Sequence, residues 1–151
     1  MTDLVLAIVH HLIVFGIASA LAAELALMRP ASMSPQTVRL LGRFDAAYGV
    51  MALAILVVGF LRVKYGAKGA EFYMHNPMFW AKIAAFAAVG LISIKPTLRI
   101  LAWQKRAKAD AAFVPALDEV SALRRTMLLE IHVFALIPIF AAMMARGIGY
   151  S

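Results

Sequence analysis

At 151 residues the chain has room for one domain, and 64% of it is hydrophobic while only 15% is charged. An ordinary soluble domain is about half apolar and about a quarter charged, so this balance, with a mean hydropathy of +0.85, assigns the chain to a lipid bilayer. No cysteine is present, which excludes disulfides, thiolate metal sites, Cys-attached haem and iron–sulfur clusters. The net charge of +7 reads as the Lys and Arg excess of cytoplasmic loops, and no nucleic-acid partner is expected.

The first span is Leu4–Met28, apolar on every face apart from His10, His11, Ser19 and Glu24. A helix of that length runs roughly 37 Å and crosses a hydrocarbon core of about 30 Å with some tilt. It is too long for a signal peptide, and Asp3 stands where a secretory signal would carry positive charge. Arg29-Pro30 and the polar stretch to Gln36 end it. A second span covers about 45–61, with Asp45 as its cap, and a third covers about 77–98, opened by Asn76-Pro77. A charged, water-exposed connection is expected from Gln104 to about Arg125. The fourth span covers about 126–145 and closes at Gly147 and Gly149. The expected fold is all-α: one domain over 1–151, an integral-membrane four-helix bundle of antiparallel up-down topology. Small residues four apart on the first span (Gly16/Ala20, Ala18/Ala22, Ser19/Ala23) let a neighbouring helix approach closely.

The first and third connections carry ten Lys and Arg, and the remaining positions carry five. That asymmetry places both termini outside the cytoplasm. On this orientation the ionisable residues fall into two groups. One is outer, with His10 roughly 9 Å deep and Lys82 roughly 6 Å deep by helical rise, and with His75, Glu71, Arg62, Arg146, Met74, Met78 and Met144 near the same edge. The other lies in the cytoplasmic half: Glu24, Arg43, Asp45, Lys95, Arg99, Glu130 and His132. His10 and Glu24 are two heptads apart and share a face with Ile17 and Leu21, while His11 is turned about 100° away. Asp45, Ala52 and Gly59 line one face of the second span, with Tyr48 beside them. Such faces point into the bundle, because an ionisable group against lipid costs several kcal/mol.

Each of these residues has an ordinary structural reading. Glu24 and Glu130 would pair with Arg29, Arg43 or Arg125, Lys82 and Lys95 would reach for the interface, and Asp45 would cap its helix. His132 would bond a carbonyl, and Pro138 would kink the last helix. A tandem histidine this deep is less easily explained that way, and His10 or His11 is a candidate metal ligand. There is no nucleophile elbow, no HExxH and no phosphate loop. Intramembrane histidines on a four-helix bundle suit b-type haem instead. Two axial imidazoles need nitrogens within roughly 4 Å of each other, and His10 and His132 differ in depth by about 12 Å, so they do not share one iron. An outer haem would use His10 or His11 with His75, with Met144, with Lys82, or alone with an open site.

The strings KGAEFYMHNPMFWAKIAAFAAVGLISIKPTLR (68–99), HH (10–11), Glu24, RFDAAYG (43–49) and IPIFAAMMARG (137–147) together resemble the membrane-protein family termed domain of unknown function 2214. That resemblance covers nearly the whole chain and implies a four-span bacterial inner-membrane protein, with no activity attached. More loosely, the layout is similar to HemJ-type protoporphyrinogen oxidases and CopD-like membrane domains, with Trp80-Ala81-Lys82 matching an aromatic-and-Lys motif at the start of their third span. This similarity implies that His10 is a haem ligand and that Lys82 sits near a porphyrin carboxylate or acts as a redox-site base.

Three functional readings follow. The first is a small b-type haem-binding redox protein, with a site in the outer half built from His10, His11, His75, Lys82 and Met144. The second is a non-catalytic subunit of a larger membrane complex or a homo-oligomer. The third is a proton or small-solute path through Glu24, Asp45, Glu130 and His10.

Overall fold

The computed structural model describes residues 1–149. Helix α1 (Thr2–Leu27) leads through a short 3-10 turn (Pro30–Ser32) into α2 (Pro35–Tyr65). A one-and-a-half-turn helix, α3 (Gly69–His75), precedes α4 (Pro77–Ala109) and α5 (Leu117–Ala145). The four long helices are the four expected spans, packed antiparallel as an up-down bundle. Helices α1 and α2 form one hairpin and α4 and α5 the other; α2 against α4 joins them, and α1 touches α5 only lightly. Only 11–17% of the most apolar window of each helix is buried inside the bundle. The remainder, including Leu53, Leu56, Val57 and Phe60 on α2, is the surface that faces acyl chains.

The ends are set by local chemistry. The Ser34 hydroxyl accepts from the Thr37 amide at 3.1 Å, and Pro35 occupies the first helical position, so α2 starts ten residues before the expected cap at Asp45. Asp45 is therefore an interior helical residue, and its exposure is 6%. Hydropathy marks where lipid begins; the Ser34-Pro35 signal marks where the helix begins. Asn76 and Pro77 open α4 as expected, with Asn76 Oδ1 accepting from the Met78 amide at 2.9 Å. Helix α4 then continues through Pro96 to Ala109, beyond the expected end near 98. At the close of α5, the Gly147 amide reaches the Met144 carbonyl at 3.0 Å and the Ile148 amide reaches that of Met143 at 3.1 Å. With Gly147 at φ 72°, this is a Schellman closure.

The expected water-exposed connection from Gln104 to Arg125 is largely structured. Buried Trp103, Phe113, Val120 and Leu123 join Met28, Val38, Leu41, Ile100 and Met127 in the larger core cluster. This cluster sits at the end where α1 passes to α2 and α4 to α5, called the basic end below. At 31 and 33 residues, α2 and α4 run roughly 46–50 Å and so overshoot a 30 Å core; the overhang carries the basic residues while its inner face packs as in a soluble protein. Arg124 on α5 donates to the carbonyls of Leu25 (2.5 Å) and Met28 (3.1 Å), satisfying the last acceptors of α1 with a cation where the helix dipole favours one. A smaller cluster of Ile17, Ala20, Leu21, Tyr48 and Ile55 fills the middle. Gly16 faces α2 there, where a Cβ would come within 2.6 Å of Met51 Sδ, so the small-residue face of α1 does admit close approach.

Candidate functional site

Toward the upper end, where α1 begins and α5 finishes, the two hairpins part. They leave a cavity of about 340 Å³ lined by all four long helices, within the size range of small-ligand sites. Its wall is almost wholly apolar: Ile17 from α1, Ile55 and Phe60 from α2, Phe79 and Phe86 from α4, and Phe134 from α5. Three nitrogen-bearing side chains enter it: His10 of α1, Arg62 of α2 and Lys82 of α4. Gly59 lies beside the imidazole, where a Cβ would make only ordinary van der Waals contact with His10 Cε1 at 4.0 Å. The Lys82 ammonium lies 5.2 Å from the Phe79 ring centroid, a cation–π contact inside the wall.

The four histidines behave differently. Nδ1 of His11, His75 and His132 lies 2.7, 3.0 and 2.6 Å from the carbonyl four residues earlier, those of Ala7, Glu71 and Leu128, and all three rings are exposed. His10 makes no such bond, and its buried Nδ1 has no hydrogen-bond partner. Arg62 Nε is likewise buried without a partner. A buried polar atom left unmatched is costly, so two such atoms on one cavity mark a place for an acceptor or a ligand. The rings of His10 and His11 are 6.2 Å apart at 78°, consistent with the divergence expected of adjacent helical positions.

Of the sequence-selected outer residues, the structure brings His10 and Lys82 together on one cavity. His11, His75 and Met144 do not line it. No group of three acidic or imidazole side chains converges to ligate a metal ion among the described residues; His10 is the one imidazole among the residues lining the cavity. Arg62 was expected only at the outer edge. Its spacing of three from Gly59 was the available signal, since both fall on one helical face. Met74, near the end of α3, also borders the cavity.

The inner-half residues divide as well. Glu24, Asp45 and Glu130 are buried, at 2%, 6% and 1% exposure. They do not pair with arginine: among the described residues the only ion pair is Arg99 with Glu119 at 3.1 Å, near the surface. Instead, the Tyr48 hydroxyl donates to Glu130 Oε1 at 3.0 Å and the Thr97 hydroxyl to Asp45 Oδ1 at 2.7 Å. Arg43 and His132 are exposed and lie outside this group.

The arrangement provides one apolar, lipid-depth pocket with an imidazole and two cations, and one separate set of buried carboxylates. No curated protein and no solved structure matches the chain. A family model does match, over residues 2–149: the chain belongs to the family of predicted membrane proteins DUF2214.

Proposed function

We propose that the protein is a small b-type haem-binding redox protein of the bacterial inner membrane, with its cofactor in the cavity between the hairpins. One observation carries this reading: His10, Arg62 and Lys82 converge on an otherwise apolar cavity, with His10 Nδ1 and Arg62 Nε buried and unpartnered. A porphyrin needs an apolar slot, an axial donor and counter-charges for two carboxylates. The aromatic and aliphatic wall supplies the first, His10 the second, and Arg62 with Lys82 the third. Bound haem would supply one-electron transfer; the chain's part is to ligate, to neutralise the carboxylates and to keep water away from the ring. The Lys and Arg excess at the basic end supports an orientation with that end in the cytoplasm, both termini outside and the cavity in the outer half.

The test is the visible absorption spectrum of full-length protein purified in detergent and titrated with haem. The expected result is a saturable Soret band at one haem per chain. A preparation that stays colourless with haem in excess would overturn the proposal.

A further inference from the structure

The carboxylates Glu24, Asp45 and Glu130 come from three different helices, α1, α2 and α5, and are each at least nine-tenths buried. Geometry gathers them in one region: Glu24 shares the α1 face of Ile17 and Leu21, which pack with Tyr48, Tyr48 bonds Glu130, and Asp45 is one turn from Tyr48 on α2. Two of them receive one hydroxyl each, from Tyr48 and Thr97. Glu24 differs: its Oε1 is buried and has no hydrogen-bond partner. An ionised carboxylate left so is among the costliest groups a membrane interior can hold, and three together multiply the cost by mutual repulsion.

The basic groups on every surrounding element are engaged elsewhere. On α5, Arg124 is committed to the carbonyls ending α1, Arg125 is exposed, and His132 is exposed and bonded to Leu128. On α4, Arg99 holds Glu119 and Lys95 is exposed. Arg43 on α2 and Arg29 at the end of α1 are exposed. The cations of the cavity are screened off by Ile17, Ile55, Phe86 and Phe134, which belong to the middle core cluster or pack against it. A metal ion does not fit either, since the three acids do not converge on one coordination point.

We propose that Glu24, Asp45 and Glu130 form an intramembrane proton-binding site. Protonation of these acids supplies the compensation that no side chain or metal provides, with Glu24, whose Oε1 has no partner, as the first group to hold a proton. A protonated acid carries no charge into the low-dielectric interior, and Tyr48 and Thr97 already donate a hydroxyl each to Glu130 and Asp45. The inference is independent of any haem.

Infrared difference spectroscopy of full-length protein in lipid nanodiscs, stepped between about pH 6 and pH 9 in H₂O and in D₂O, tests it. The expected result is a carboxylic C=O band in the region of protonated acids that shifts in D₂O, weakens in Glu24→Gln and is lost in the Glu24→Gln/Asp45→Asn/Glu130→Gln triple variant. The triple variant, with neutral amides in place of neutral acids, is expected to fold and to melt no lower than the parent at pH 7. No protonated-acid band in the parent at any pH would overturn the proposal. So would thermal stability that rises in sodium over choline chloride at equal ionic strength and loses that dependence in Glu24→Gln, because a bound metal cation would then be the occupant.

Discussion

His10 is distinguished from the other histidines by the carbonyl bond that its buried ring nitrogen does not make. Placed in a helix, a histidine readily turns Nδ1 toward the carbonyl four residues back, as His11, His75 and His132 do. His10 gives up that bond and directs its ring at Gly59 and the cavity, an arrangement that leaves a donor or acceptor unmatched until something fills the space. Arg124 makes the opposite use of a polar group: its guanidinium has two carbonyl acceptors, both at the end of α1. Arg124→Ala leaves those acceptors open and is expected to destabilise the bundle by about 1.5–3 kcal/mol, the range for hydrogen bonds to a charged donor. Thermal unfolding in detergent checks this, and an unchanged midpoint would show that water replaces the arginine at no cost. Both residues illustrate what a single sequence hides. The two-heptad spacing of His10 and Glu24 told which face they share, and the structure agrees, with Ile17 and Leu21 buried between them. It could not tell how each side chain spends its hydrogen bonds.

At the level of elements, legibility depended on whether the signal was local. Asn76-Pro77 and Gly147 were readable because caps and glycine turns act within a few residues, and both occur as expected. The Gly147 position, at φ 72°, makes a direct prediction: Gly147→Ala forces a Cβ into left-handed backbone and is expected to cost about 1–2 kcal/mol, read as a lower unfolding midpoint with the haem titration unaffected. A midpoint equal to the parent's would show that the closure is not held in that conformation. The start of α2 and the run of α4 through Pro96 were less legible, since the hydropathy of a span reports lipid contact and not helix length. In α4 the proline stays inside the helix and buried. The burial of Glu24, Asp45 and Glu130 in one region of the bundle was the least legible feature, because it requires the rotations of three helices at once. Pairing each acid with a nearby arginine was the simpler expectation; the arginines proved to be exposed or already engaged.

Across the whole molecule, charge is sorted by position along the bundle axis. The cationic cavity lies between the hairpins at the upper end, the buried carboxylates lie in the middle, and a soluble-like core rimmed by Lys and Arg closes the basic end. Helices α1 and α5, which touch only lightly, both line the cavity, and the larger core cluster at the basic end packs residues of both hairpins together. Ten of the fifteen Lys and Arg fall on the basic side, which predicts that it faces the cytoplasm. Reporter fusions at either terminus are expected to be active only when the reporter works outside the cytoplasm, and activity of a cytoplasm-dependent reporter would reverse the orientation.

The most direct test of haem in the cavity is the haem titration repeated on two neighbouring variants, His10→Ala and His11→Ala. Adjacent on one helix and equal in chemistry, they differ in that only His10 enters the cavity. The Soret band is expected to be lost or strongly shifted in His10→Ala and retained in His11→Ala. Equal spectra in the two variants, or loss in His11→Ala alone, would contradict that placement.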